Sequence, residues 1–180
     1  MESVAAFTDT YLPTVNGVTY TVKAWRDRWE ARGGRMDVVY PGSDDHDPEP
    51  GEYPVGSLPL PFYSGFRVGT PRIPDELVDP DIVHAHPPFS LGLAALRFAR
   101  REEVPLVATY HTPTAEYTNY FTDWEPLKEG LSGVSRQYER WFLNHADAVI
   151  VPSEATGEYL TDELGIDVPP TVVSNGVDVE

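Results

Sequence analysis

The sequence predicts an α/β domain: a mostly parallel, twisted sheet with helices on both faces, joined by right-handed crossovers. Three observations predict it. Apolar runs of strand length alternate with stripes of helical spacing from one end of the chain to the other. No internal repeat or coiled-coil heptad interrupts that alternation. The 180 residues, 41% of them hydrophobic, suit one soluble globular domain, or one and a small annex, with a sizeable core.

The first strand is the short apolar run from Val4 to Phe7. A loop follows, Thr8-Asp9-Thr10-Tyr11-Leu12-Pro13-Thr14-Val15-Asn16-Gly17. Then Val18, Val22, Trp25 and Trp29, spaced four, three and four, mark one face of a helix. In an open α/β sheet ligands bind in the crevice beyond the carboxyl ends of the strands. Gly17 stands where a backbone comes close to a ligand or a neighbouring strand. The N–H groups of the first helical turn face the same crevice and favour an anion such as a phosphate. A strand, a loop and a helix with one glycine are also common to any protein of this class.

Gly33-Gly34 stop the helix, and Met36 to Tyr40 form the second strand, closed by Pro41-Gly42. Ser43 to Gly51, rich in Asp, Glu and Pro, reads as a solvated surface loop, with His46 in it structural or solvated. Val55 to Leu60 reads as a short edge strand, demoted by Pro59 and leading into the aromatic loop Phe62 to Arg67. A turn around Asp75 to Val78 follows. Asp81 to His86 is a strand, Phe89 to Arg101 a well-buried helix opened by Pro87-Pro88, and Val104 to Tyr110 a strand. A long helix carries the stripe Leu131, Val134, Tyr138, Trp141, Phe142 and His145. Ala148 to Val151 is a strand, Ser153 caps a helix that ends at Gly165, and Thr171 to Val173 is the last strand.

Charge narrows the class of function. Twenty-nine acidic residues face thirteen basic ones, for a net charge of −16, and only Lys23 and Lys128 are lysines. That argues against sequence-independent nucleic-acid binding and against a polybasic membrane patch. It suggests a source adapted to high salt, where counterions screen the self-repulsion. Cysteine is absent, which excludes disulfides and thiolate metal sites. No apolar run is long enough to span a bilayer and no signal peptide is visible, so the expected location is cytoplasmic.

Three strands deliver polar residues to one edge: Asp9 and Asn16 after the first, His86 after the fourth, His111 and Thr112 after the fifth. In a parallel sheet these ends surround one crevice. His84 and His86 alternate and so share a face. They could hold a metal, but no third ligand is evident, and the plainer account is that one packs in or near the core and the other sits at the strand end. His111, directly after an apolar strand and before Pro113, suits a hydrogen bond to a sugar hydroxyl; capping of its own loop is the competing account. There is no GxSxG elbow, no P-loop and no GxGxxG after any strand.

Taken together, Asp9-Thr10-Tyr11-Leu12-Pro13 through Asn16-Gly17-Val18, Asp81-Ile82-Val83-His84-Ala85-His86, His111-Thr112, Ala146-Asp147-Ala148-Val149-Ile150-Val151-Pro152-Ser153 and Asn175-Gly176-Val177-Asp178 resemble the family 4 retaining glycosyltransferases. Within that family they are most similar to enzymes of glycolipid synthesis, the sulfoquinovosyl- and mannosyl-lipid synthases. The resemblance implies one half of a GT-B architecture: a Rossmann-like three-layer domain over residues 1–174, a hinge beginning at 175–180, and an absent C-terminal donor-binding domain. It implies acceptor binding by this half and a nucleotide-sugar donor held mostly by the other. The sugar would pass to a lipid or glycan acceptor with retained anomeric configuration and without a metal or other cofactor. His111 would be the catalytic contact to the transferred sugar, Asn16 and Gly17 the donor-binding positions, and Asp9, Tyr11, His86 and Thr112 the acceptor-binding ones. Asn16 departs from the family's usual Gly-Gly pair. The resemblance also implies peripheral contact with the inner face of the cell membrane, for which Tyr117, Tyr120, Phe121 and Trp124 are candidates. Two alternatives share the architecture: a non-catalytic sugar- or glycolipid-binding module, and the first domain of a nucleotide-sugar epimerase.

Overall fold

The computed structural model describes residues 2–60, 66–77, 79–87, 90–111 and 125–174, with the backbone alone for 125–131. Thr112, the aromatic positions between 117 and 124, and the hinge at 175–180 lie outside the described residues.

Among the described residues seven parallel strands form one sheet. In chain order they are β1 (Ser3–Thr8), β2 (Arg35–Pro41), β3 (Glu52–Val55), β6 (Ile82–His86), β7 (Leu106–Thr109), β8 (Ala148–Val151) and β9 (Pro170–Val172). Their spatial order is β3-β2-β1-β6-β7-β8-β9. The chain therefore runs outward from β1 to one edge, returns to the middle, and runs outward again. The reversal between β1 and β6 is a switch point, where the connections leaving adjacent strands diverge and open a crevice. The register there sets Thr8 beside His86 and Ala6 beside His84.

Between β3 and β6 the sequence expectation of a single edge strand needs correction. Residues 52–55 extend the main sheet in parallel with β2, whereas β4 (Ser57–Pro59) pairs antiparallel with β5 (Arg67–Gly69) in a separate ribbon. Pro54 and Pro59 remove ladder donors, which suits both segments to edges.

Helix α1 (Gly17–Glu30) lies on one face. Asn16 caps it, its Oδ1 accepting the Thr19 N–H at 3.0 Å. Val22 is fully buried, and Val18, Trp25 and Trp29 pack around it against Val4, Ala6, Met36, Val38 and Tyr40. The helix stops because Gly33 takes a left-handed φ of 83° and Gly34 slides beneath Trp29, whose Nε1 would meet a Cβ at 2.2 Å.

The other face carries α2 (Ser90–Glu102) and α3 (Glu125–Leu143). Phe7, Val83, Ala85, Ala108 and Val149 from the strands meet Leu91, Phe98, Phe142 and Leu143 from the helices, all at most 1% exposed. Each such large apolar side chain contributes about 1.5–3 kcal/mol of burial. The expected stripe of α3 holds only in part: Val134 and Trp141 face solvent, and His145 lies past the helix end with Nδ1 2.6 Å from the Trp141 carbonyl. One buried row at Phe142 and Leu143 is enough to seat this helix, so the outer positions are left to water.

The last helical segment is α4 (Glu154–Glu158), capped by Ser153, whose Oγ accepts the Thr156 N–H at 3.2 Å. It widens into π-helical turns over Tyr159–Leu164 before Gly165 ends it at φ 71°. The wider turns bury both Leu160 and Leu164. Among the described residues no helix is long and apolar enough to cross a membrane.

Candidate active site

The carboxyl ends of β1, β6 and β7 and the tip of α1 meet at the switch point. Alternation along each strand decides which side chains face α1. On β6 these are Ile82, His84 and His86; on β7 they are Val107 and Thr109, and the same alternation carries on to His111.

The three histidines form a continuous stack. The rings of His84 and His86 are 4.4 Å apart, and those of His86 and His111 are 5.2 Å apart at an interplanar angle of 16°. Trp25 of α1 covers the inner end, 5.3 Å from His84 and 5.9 Å from His86. Two polar contacts hold the stack: His84 Nε2 lies 2.7 Å from Thr109 Oγ1, and His86 Nδ1 lies 2.9 Å from His111 Nε2. Burial pushes His84 down to about 3 and His111 down to about 4, and takes His86 well below the usual imidazole range, with the neighbouring imidazoles adding to the effect on His84 and His86. All three are neutral near pH 7. His86 is 2% exposed, and His111 is half-buried at the outer end.

Neutral imidazoles in a protected cleft offer directed hydrogen bonds without a fixed charge. Next to them, the first turn of α1 has backbone N–H groups that no helical carbonyl can reach, and the Asn16 cap takes up the one on Thr19. Gly17 opens this turn, and a Cβ placed on it would meet nothing within 4 Å. The protein itself therefore does not require glycine there. The loop before it is tied down from within. Thr8 Oγ1 donates to the Thr10 carbonyl at 2.8 Å, Asn16 Nδ2 donates to Thr10 Oγ1 at 2.8 Å, and the Leu12-Pro13 peptide is cis.

Asp9 and Tyr11 are almost wholly buried, beside a small pocket that Thr10, Leu12 and Phe66 also line. Asp9 is 4% exposed, and its Oδ1 accepts the Leu91 N–H at 3.2 Å, so it caps the start of α2. Tyr11 packs its ring 5.0 Å from Tyr40, and burial followed by the Glu52 charge pushes its phenol up to about 12. Among the described residues no group of three His, Cys, Asp or Glu side chains is arranged to hold a metal ion.

Beneath Tyr11 lies a polar cluster that sequence reasoning missed. Arg26 of α1 is buried, with Nη1 3.1 Å from Glu52 Oε1, Nε 3.2 Å from Glu30 Oε1, and Nη2 donating to the Pro50 carbonyl. Glu52 is held at its other oxygen by His46 Nε2 at 2.8 Å and by the Glu49 N–H at 3.0 Å. The acidic segment 43–51 is thus folded back over the sheet edge rather than solvated throughout, and His46 is a structural partner. The signal was an arginine on the apolar side of an amphipathic helix, one residue past Trp25.

Comparison with known proteins gives these features a setting. The chain matches the family described as Glycosyltransferase Family 4 over residues 15–180. It is 26% identical to the alpha-monoglucosyldiacylglycerol synthase of Streptococcus pneumoniae across 98% of this chain and 41% of that protein. It is 31% identical to the GDP-mannose-dependent alpha-mannosyltransferase of Corynebacterium glutamicum across 69% of this chain and 34% of that protein. The chain spans less than half the length of both. Among solved structures, the sucrose-phosphate synthase of Thermosynechococcus elongatus shares the fold with a TM-score of 0.68 at 16% identity, covering 99% of this chain and 49% of that one.

Proposed function

The chain belongs to glycosyltransferase family 4, and on that premise we propose that it is the acceptor-binding half of a retaining glycosyltransferase. The reaction moves a sugar from a nucleotide-sugar donor to the hydroxyl of a lipid or glycan acceptor. The acceptor oxygen bonds to the anomeric carbon, the bond from that carbon to the nucleoside diphosphate breaks, and the hydroxyl proton leaves. The relatives named for a glucosyldiacylglycerol and for a GDP-mannose donor support a lipid acceptor and a nucleotide-sugar donor.

One observation supports the reading: β1, β6 and β7 are neighbouring parallel strands, so the loop to Gly17 and the residue His111 both follow carboxyl ends on the same edge of the sheet. That edge would offer a hydrogen-bonding group to a sugar and a helix tip to a phosphate. In this reading His111 is the catalytic contact to the transferred sugar, and Asn16 and Gly17 pass beneath the donor phosphates. Asp9, Tyr11, His86 and Thr112 belong to the acceptor side, with Asp9, Tyr11 and His86 acting from beneath its surface. The remaining donor contacts come from a second domain, and no metal or other cofactor takes part.

The test is an assay of the full-length protein with nucleotide sugars and diacylglycerol or glycolipid acceptors. It should give a product of retained configuration, and His111→Ala should lower turnover at least about 100-fold, the size of effect that a group acting at the reacting centre has. This chain alone should give no turnover. Failure of the full-length protein with every donor would favour a binding module, and robust product from this chain alone would put the donor site within residues 1–180.

A further inference from the structure

Two neutral imidazoles that face each other need one donor and one acceptor. The pair here is Nδ1 of His86 and Nε2 of His111, 2.9 Å apart. The other nitrogen of His86, Nε2, is fully buried and meets no hydrogen-bonding atom among the described residues. That orphan decides the pair. A buried N–H with no acceptor is rarer and costlier than a buried lone pair with no donor. The His86 proton therefore sits on Nδ1 and is donated to His111. An accepting Nε2 on His111 is bare, so the neutral His111 ring must carry its own proton on Nδ1.

We propose that His86 is a positioning residue that locks His111 in its Nδ1–H tautomer, so that His111 offers the crevice a hydrogen-bond donor and not a base. The role attached to His111 rests on the transferase reading; the tautomer lock itself does not. The lock is rigid because the His86 ring is clamped on both sides, by His84 at 4.4 Å and His111 at 5.2 Å, under the edge of Trp25. His84 is fixed in turn by Thr109. Burial keeps both members of the pair uncharged, which preserves the one-donor, one-acceptor arrangement. The ligand atom that meets His111 is therefore an acceptor, such as a sugar hydroxyl oxygen with its own proton turned away. Proton removal from the acceptor hydroxyl falls to some other group.

Ring-15N NMR of the histidine-labelled full-length protein at pH 7 tests this, with the His111 signals identified by their loss in His111→Asn. Protonated Nδ1 and bare Nε2 on His111 are expected. His86→Phe keeps an aromatic ring in the stack and removes the donor, so the His111 tautomers should mix. His86→Asn places an amide N–H near the old Nδ1 and should restore the single tautomer. In the transferase assay His86→Phe should lower kcat about tenfold, the worth of one hydrogen bond of about 1.4 kcal/mol. A wild-type His111 protonated on Nε2 overturns the proposal, and so does an unchanged Nδ1–H spectrum in folded His86→Phe. If His86→Phe does not fold, the wild-type spectrum and His86→Asn decide. The correct tautomer in a protein that transfers no sugar leaves the lock standing and sinks the transferase reading.

Discussion

Glu52 and Arg26 show how much a single side chain can carry in this fold. The Glu52 side chain is fully buried and the Arg26 guanidinium nearly so, 3.1 Å apart under the loop that begins the crevice. Burial alone would raise the Glu52 carboxyl, but the Glu49 N–H and His46 outweigh it and hold the group below its ordinary value. Breaking such a pair costs more than the pair contributes, because the survivor loses its buried counter-charge and Arg26 keeps only the half-exposed Glu30 and the Pro50 carbonyl. Glu52→Ala should therefore destabilise the protein by about 3–5 kcal/mol in urea unfolding. Replacing both members, Arg26→Met with Glu52→Leu, should recover most of that loss. A single variant within about 0.5 kcal/mol of wild type would mean that water already reaches the pair. The sequence marks Arg26, on the apolar side of its helix, but not its partner. The two are 26 residues apart, and their meeting depends on β3 docking beside β2, a pairing made by edge geometry rather than by local pattern.

Elements whose signals are local were legible, and those set by distant partners were not. Helix α1 followed from four apolar positions and from Gly33-Gly34, β1 and β8 from short apolar runs, and β6 from the segment Asp81 to His86, because each pattern is local in the chain. The split of residues 52–60 into a parallel edge strand and an antiparallel ribbon did not follow, since each half is defined by the strand it pairs with. That residues 9–16, 86 and 111 follow the carboxyl ends of parallel strands was legible from the alternation of strand and helix, yet the contact between His86 and His111 needed the register of β6 against β7. At the tip of α1 the two parts of one motif separate cleanly. Asn16 has a structural duty as the cap, whereas Gly17 has none that the protein shows: its Cβ position is empty and its φ is outside the left-handed region. Gly17→Ala should therefore leave the melting temperature unchanged or slightly raised, since alanine favours helix by up to about 1 kcal/mol over glycine. It should nevertheless raise the donor KM or lower kcat in the full-length protein, because a methyl group would stand where a phosphate approaches. Full transferase activity in a folded Gly17→Ala protein would remove Gly17 from the donor site.

A net charge of −16 on 180 residues acts on the molecule as a whole. Like charges spread over one small surface repel, and folding brings them closer than the unfolded chain does. The buried Arg26 pair is shielded from ions, so added salt weakens it little, while the surface repulsion is fully open to screening. Both effects point the same way: the folded state gains from salt. The Debye length falls from about 30 Å at 0.01 M to about 3 Å at 1 M, so a purely electrostatic gain must be largely complete by then. Salts such as sulfate would strengthen burial by exclusion from the surface and confuse the reading, which makes KCl the better choice. The melting temperature should rise by several degrees between 0.01 and 1 M KCl and then level off. A continued climb at higher concentrations would point instead to hydration of the acidic surface as the stabilising factor. A flat curve over the whole range would mean that the carboxylates are far enough apart not to repel, and the inference of a high-salt source would fall with it.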